Sequence, residues 1–227
     1  MSNSSCSLCQ FWSSSIGKKI VVALTGIVLV GFLAGHLAGN LLVYVGAEDF
    51  NEYAEFLHGM AHGAGIWIAR IVLLTCFVLH IVATIQLTTA NRAARENRYQ
   101  CEGTMTASRS SRLMIWSGLT ILAFVIFHIL HYTVRVDAEL AALANEGNPY
   151  GMLVLGFKNP LVSIFYIIAI SLLCSHLSHG VASIFQTLGL RSRKSAGLID
   201  GLAKAYTAVI WIGFISIPIA VLAGFVK

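Results

Sequence analysis

The chain has 227 residues, of which 57% are hydrophobic and only 11% are charged, and its mean hydropathy is +0.78. Soluble domains carry about 25% charged residues, so this composition excludes a soluble globular domain and indicates an integral membrane protein. The net charge of +5 comes from basic residues in loops without interleaved aromatic residues, a pattern that argues against nucleic-acid binding.

Five apolar stretches are long enough to cross a hydrocarbon core about 30 Å thick at a helical rise of about 1.5 Å per residue. They cover residues 20–45, 66–89, 113–134, 161–188 and 206–226. Because these stretches use most of the chain, we predict an all-α fold. The whole chain, 1–227, forms one membrane domain of five transmembrane helices and leaves no room for a soluble catalytic domain.

Charged residues divide the connecting loops into two kinds. Lysine and arginine concentrate at residues 18–19, 92–112 and 191–204, whereas acidic residues concentrate at 48–55 and 137–146. Since cytoplasmic loops are enriched in Lys and Arg, the N-terminus is predicted to be cytoplasmic and the C-terminus outside.

Histidines occur in each of the first four spans and not in the fifth. Ionisable residues inside a membrane are functional-site hypotheses by default. A lone buried histidine is commonly explained by a hydrogen bond to a nearby carbonyl, but a histidine on each of four consecutive helices suits two b-type haems. Each haem would be held between two helices by paired imidazoles. The residues are His36, His80, His128, His131, His176 and His179.

Depth along the helices suggests how the histidines pair. His36 lies 17 residues beyond Lys19 and His128 lies 16 beyond Arg112, so both are roughly 25 Å from the basic end. The second and fourth spans run in the opposite direction, toward the basic loops. Their histidines, His80 and His176, lie somewhat nearer the cytoplasm. The sequence therefore predicts an outer pair, His36 with His128, and an inner pair, His80 with His176.

Each of the two H-x-x-H doublets offers two candidate ligands. His131 lies close to Arg135 at the membrane edge, so depth favours His128 in the third span. In the fourth span depth does not decide between His176 and His179. A ladder of small residues in the first span, Gly31, Gly35 and Gly39, permits close approach of either a helix or a cofactor.

Six motifs, in order over nearly the whole chain, carry a resemblance to a known family. They are "SSIGKKIVVALTG", "GHLAGNLL", "FNEYAEFLHG", "FVLHIVATIQLTTANRAAR", "FHILHYT" and "HLSHGVASIFQTLGL". With them the chain resembles the diheme cytochrome b membrane anchor of succinate:quinone oxidoreductases (succinate dehydrogenase or fumarate reductase), of the single-anchor type. The resemblance implies His128 and His176 as the ligands in their doublets, and it implies the pairing of first with third and second with fourth spans.

The same resemblance implies partners and a location. A flavoprotein subunit with FAD would handle the dicarboxylate, an iron–sulfur subunit would pass electrons to this chain, and quinone, with menaquinone the better guess, would be the other electron partner. The complex would lie in the cell inner (cytoplasmic) membrane. The chain itself has no Gly-rich dinucleotide fingerprint and no clustered cysteines for an iron–sulfur cluster.

Quinone chemistry also needs protons, so a carboxylate near the outer haem is expected. Glu52 in the acidic loop is our candidate for quinone proton transfer, with Glu48, Glu55 and His58 next in line. Further candidates for haem contacts are His131, His179, Arg70 near an outer propionate, and Gln86 at the inner face. Arg70 is equally well explained as an interfacial arginine.

Two rival functions are consistent with part of this pattern. A cytochrome b anchor of another membrane dehydrogenase would share the histidines, but the motifs argue against it. A histidine-lined metal or proton transporter would be expected to carry acidic residues inside its spans, and the five apolar stretches contain none.

Overall fold

A computed structural model of the chain describes residues 7–94 and 109–227, and within these ranges the regular structure is helical, with no strand. The central part of the second basic segment, residues 95–108, lies outside the described residues. We number the α-helices in chain order. They are α1 (Ser7–Ser13), α2 (Ser15–Leu41), α3 (Ala47–Gly59), α4 (Ala64–Ala93), α5 (Arg109–His128), α6 (Ala138–Asn145), α7 (Pro149–Lys158), α8 (Pro160–Thr187) and α9 (Ala196–Leu222).

Five of these helices are long and apolar enough to cross a membrane, as predicted. They are α2 with its 3-10 extension Leu42–Tyr44, α4, α5 with a following π-helix Ile129–Val134, α8 and α9. Large apolar side chains are exposed along them, among them Ile71, Leu161 and Ile212. In a bilayer such side chains face lipid, so the prediction of an all-α, multi-pass membrane protein is confirmed.

Helix α9, which is the fifth span, begins ten residues before the predicted start, at Ala196 rather than at residue 206. Its first turns are therefore more polar than the apolar stretch and include Asp200 and Lys204. Asp200 forms an ion pair with Arg191 at 2.8 Å. Hydropathy marks only the apolar part of a helix, and the polar first turns extend beyond it.

Local sequence explains where two of the helices begin. The side chain of Asn159 accepts hydrogen bonds from the backbone N–H groups of Leu161 and Val162, and Asn148 accepts one from Gly151. Each asparagine precedes a proline, which suits the first helical position because its missing N–H has no intrahelical acceptor there. Helices α7 and α8 therefore both begin at an Asn-Pro pair.

Three short helices, α3, α6 and α7, cover one end of the bundle, which we call the acidic end. Helix α3 lies in the first acidic loop, and α6 and α7 lie in the second. The apolar helix α7 is too short to cross a bilayer. It buries Leu153, Val154 and Phe157 against the rest of the bundle.

The spanning helices pack around α2 and α8. Helix α2 packs on α4, α8 and α9, and α8 packs on α5 and α9. Two glycines make close approaches possible: a Cβ on Gly213 would lie 2.7 Å from Leu37, and one on Gly39 would lie 2.5 Å from Tyr53. By contrast, Gly31 and Gly35 have open space beside them. Of the glycine ladder, only Gly39 makes a packing contact.

Candidate functional site

The structure brings His36 of α2 and His128 of α5 together. Their ring centroids are 5.8 Å apart and the ring planes differ by 81°. A transition-metal ion bonded to one nitrogen of each ring at about 2 Å would place the two centroids ~6 Å apart, allowing about 1 Å from nitrogen to ring centre. The observed spacing would allow both rings to bind one metal ion.

Aromatic side chains surround this pair. Phe32 stacks on His36 with centroids 5.2 Å apart, and Phe214 lies 5.8 Å from the same ring. Phe124 lies 5.9 Å from His128. Phe32 and Phe124 each precede their histidine by one helical turn. An apolar wall of this kind suits a large flat macrocycle and keeps water from the two imidazoles.

The hydroxyl of Tyr166 on α8 lies between the two histidines of the α5 doublet. Its oxygen is 3.2 Å from Nδ1 of His128 and 3.1 Å from Nδ1 of His131. Tyr166 is only 3% exposed. A phenol has one hydrogen, so it donates to one imidazole and accepts from the other. His128 and His131 thus share the Tyr166 hydroxyl as a hydrogen-bond partner, and His128 alone of the two also lies against His36.

His36 has a different neighbour at its Nδ1 atom. The amide nitrogen of Asn40 lies 3.4 Å from that atom and donates a shorter hydrogen bond, 2.8 Å, to the carbonyl of His36 itself. The longer contact places a donor rather than an acceptor against the ring. A donor at this position favours the tautomer of His36 that keeps a lone pair on Nδ1, unlike an acceptor, which would place the N–H there.

A second pair consists of His80 on α4 and His176 on α8. The two rings lie close enough for a charge on one to act on the other, and His179 is also near His176. Nδ1 of His80 is 3.1 Å from the hydroxyl oxygen of Thr25, and Nδ1 of His176 is 3.1 Å from that of Ser117. In both rings Nε2 remains for another partner.

Each pair offers at most two ligands to one metal ion, and this number restricts the metal chemistry that the pair could support. Across residues 7–94 and 109–227 no group of three or more His, Cys, Asp or Glu side chains is placed to hold a metal ion. Structural zinc sites use four protein ligands and catalytic ones three. Two axial imidazoles complete the coordination of a haem iron, whose other four nitrogens belong to the macrocycle. The donor set fits haem.

The residue proposed for quinone proton transfer, Glu52, lies on the exposed face of α3. Its neighbour Asn51 fixes α3 to α7, because the Asn51 side-chain oxygen accepts a hydrogen bond of 2.9 Å from the backbone N–H of Tyr150. Among the described residues no hydrogen bond or ion pair joins Glu52 to a membrane histidine. The structure thus exposes Glu52 at the acidic end without bringing it to the His36 pair.

The remaining candidates have local partners. The guanidinium carbon of Arg70 lies 5.0 Å above the ring of the exposed Trp67, a cation–π contact that suits a membrane interface. The ring of His58 bonds to the Ala54 carbonyl in its own helix at 2.7 Å. Gln86 is half-buried on α4, six residues beyond His80. Haem contacts of Arg70 and Gln86 stay predictions.

Three residues at the two pairs are missing from the sequence-based prediction: Thr25, Ser117 and Tyr166. A signal for the first two exists in the sequence. Thr25 and Ser117 are each followed by glycine, and each precedes the outer histidine of its helix by 11 residues, 25 to 36 and 117 to 128. No comparable signal marks Tyr166, which reaches the doublet from another helix.

Comparisons with protein-family models, with curated proteins and with solved structures returned no match. The fold and the site define a class: a multi-pass helical membrane protein in which four histidines from four spans form two pairs. A narrower identification rests on the six motifs together with this geometry.

Proposed function

We propose that the chain is the diheme cytochrome b anchor of a succinate:quinone oxidoreductase and carries electrons between an iron–sulfur partner and quinone. The observation that supports this most directly is the 5.8 Å spacing of the His36 and His128 rings, contributed by two helices that are not among the main packed pairs. His80 on α4 and His176 on α8 likewise come from two different spans.

The residues of each pair would divide the work. His36 with His128, and His80 with His176, would bind one haem iron per pair through ring nitrogens. Phe32 and Phe124 would exclude water from the first pair. A bound b-type haem supplies a one-electron carrier whose potential depends on its axial ligands and their hydrogen bonds.

Chemistry at the dicarboxylate and at the quinone would be divided between subunits. A flavoprotein and an iron–sulfur subunit would carry FAD and the clusters, and this chain would anchor them in the cytoplasmic membrane. Quinone, preferably menaquinone, would exchange electrons with one haem and protons with water. Glu52 is exposed at the acidic end, where it has access to water as an acid–base group requires.

The test is a reduced-minus-oxidised visible spectrum with haem quantification on the purified complex. Two haem b per chain are expected. His36→Ala and His128→Ala should each lose one haem, the same one, because each axial ligand is essential to its site. His58→Ala is the control, since that exposed ring bonds only to its own helix, and it should keep both haems. No haem in the unsubstituted protein rejects the proposal.

A further inference from the structure

We infer that Thr25 and Ser117 are equivalent positioning residues for the second pair. Each hydroxyl holds the ring of His80 or His176 in the tautomer that leaves Nε2 free to bind a metal. The inference rests on the proposed function for the identity of that metal, haem iron, but the tautomer itself follows from the hydrogen bonds of the chain.

The argument begins with the hydrogen atoms of the two hydroxyl groups. The Thr25 hydroxyl lies 2.7 Å from the carbonyl oxygen of Val21, and the Ser117 hydroxyl lies 3.0 Å from that of Met114. A carbonyl accepts and never donates, so each hydroxyl gives its single hydrogen to its own helix. Toward the neighbouring imidazole each hydroxyl oxygen is therefore an acceptor.

The tautomers of the two histidines follow from this. A neutral imidazole has one N–H, and a hydrogen bond to an acceptor places it on the bonded nitrogen. Nδ1 is the bonded atom in His80 and in His176, so Nε2 carries a lone pair in both. The outer ligand His36 lacks such an arrangement.

The backbone next to each hydroxyl also fits the ring beside it. Gly26 follows Thr25, and a Cβ there would lie 3.7 Å from Cε1 of His80. Gly118 follows Ser117, and a Cβ there would lie 4.0 Å from Cε1 of His176. Helix α2 thus meets a histidine of α4 in the way that α5 meets a histidine of α8. The same contact occurs in two separate helix pairs.

The spacing along α2 and α5 connects both pairs of histidines. Eleven residues separate each hydroxyl from the outer histidine of its helix, Thr25 from His36 and Ser117 from His128. Eleven residues are close to three helical turns, so hydroxyl and histidine share one face and lie ~16 Å apart along the axis. One face of each helix therefore carries a histidine of the first pair, and three turns away it carries the hydroxyl that positions a histidine of the second pair.

A hydrogen bond from Nδ1–H to an acceptor orients a ligating imidazole and makes its other nitrogen more basic. Loss of such a partner typically lowers metal affinity about ten- to a hundredfold. A less basic ligand stabilises the oxidised iron less, so the midpoint potential rises. Since Thr25 and Ser117 act on one pair, substitutions on two different helices should affect the same haem.

The experiment uses Thr25→Val and Ser117→Ala in the purified complex, followed by redox titration of the haem spectrum and by haem quantification. We expect each variant to raise the potential of the same haem, or to release it, while the other haem is unchanged. Thr25→Ser keeps the hydroxyl and should therefore retain the haem potential of the unsubstituted protein. Thr120→Val is the matched control, because that hydroxyl bonds only to the Trp116 carbonyl of its own helix.

Two haems with unchanged potentials in both variants would overturn the inference, as would variants that affect different haems. If the unsubstituted protein binds no haem, the proposed function fails, and the inference is then decided by ¹⁵N NMR of the histidine-labelled chain. Signals of unprotonated Nε2 in His80 and His176 would support it, and signals of unprotonated Nδ1 would reject it.

Discussion

The two H-x-x-H doublets look alike in sequence, but the structure gives their members different neighbours. His128 faces His36 at a ring separation of 5.8 Å, whereas His131 packs on Tyr132 with centroids 4.2 Å apart. In the other doublet, His176 bonds to Ser117 and interacts with His80. These contacts distinguish one member of each doublet, and they favour the members that the sequence resemblance implies.

The α8 doublet leads to a prediction that depth along the helix does not give. His176→Ala should remove the haem of the second pair, because it deletes an axial ligand, whereas His179→Ala should retain two haems per chain. Haem quantification and the difference spectrum measure both. Retention of two haems in His176→Ala together with loss in His179→Ala would reverse the assignment of the ligand.

Residue by residue, the histidines are more predictable than their partners. An imidazole in an apolar stretch is conspicuous because it is costly there without a partner. Thr25 and Ser117 are not conspicuous, because serine and threonine in helices commonly bond to their own backbone. Both do so here and also accept from a histidine of another helix. That second contact depends on helix packing; the following glycine and the eleven-residue interval mark the two positions in the sequence, but they do not identify the partner histidine.

Among the helices, the π-helical segment Ile129–Val134 is the most unusual element. π-helices are rare, and they occur mostly as short bulges within α-helices, often at functional sites. Here the segment begins directly after His128 and contains His131, and both rings reach the same Tyr166 hydroxyl. The change in helix type thus falls between the two members of the doublet.

The spans were predictable because a bilayer requires long apolar helices, and the sequence shows those directly. The ends were less predictable. Helix α9 begins at Ala196, and its polar first turns include Asp200, which pairs with Arg191. Helix α7 is apolar but short, and its burial depends on α3, α8 and α9. Tertiary contacts of this kind leave no periodic signal in ten residues.

A stability prediction belongs to the start of α8. Asn159→Ala removes the side chain that accepts from Leu161 and Val162 N–H groups, so it should lower the free energy of unfolding by about 1 kcal/mol. Asn159→Asp should keep most of the stability, since a carboxylate also caps. Unfolding of the purified protein in mixed micelles measures both, with Lys158→Ala as the exposed neighbouring control. Equal stability of the Ala and Asp variants would contradict the capping role.

At the scale of the whole molecule, the two ends of the bundle differ in charge. Lys18, Arg92 and Arg191 lie at one end, and the acidic first turn of α3 and the cap residue Asp137 lie at the other. The helices between them are largely apolar. Such an asymmetry sets orientation in a bilayer, because positively charged loops are retained in the cytoplasm.

We therefore expect the loop at 189–195 to be cytoplasmic and the loop at 60–63 to face outside. Single cysteines introduced into each loop, in a chain whose own five cysteines are replaced, should react with a membrane-impermeant maleimide only on the expected side of sealed vesicles. Labelling of the 189–195 loop from outside intact cells would mean the opposite orientation.

The eleven-residue interval between hydroxyl and histidine on α2 and α5 also affects the energy of electron transfer across the membrane. It sets the two sites ~16 Å apart along the helix axes, about half the thickness of a hydrocarbon core of about 30 Å. On the proposed function, an electron that passes from one site to the other moves through about half of the transmembrane voltage. At about 2.3 kcal/mol per charge for each 100 mV across the full membrane, the step costs or releases about 1 kcal/mol. The fraction of reduced haem at each site would then depend on how strongly the membrane is energised.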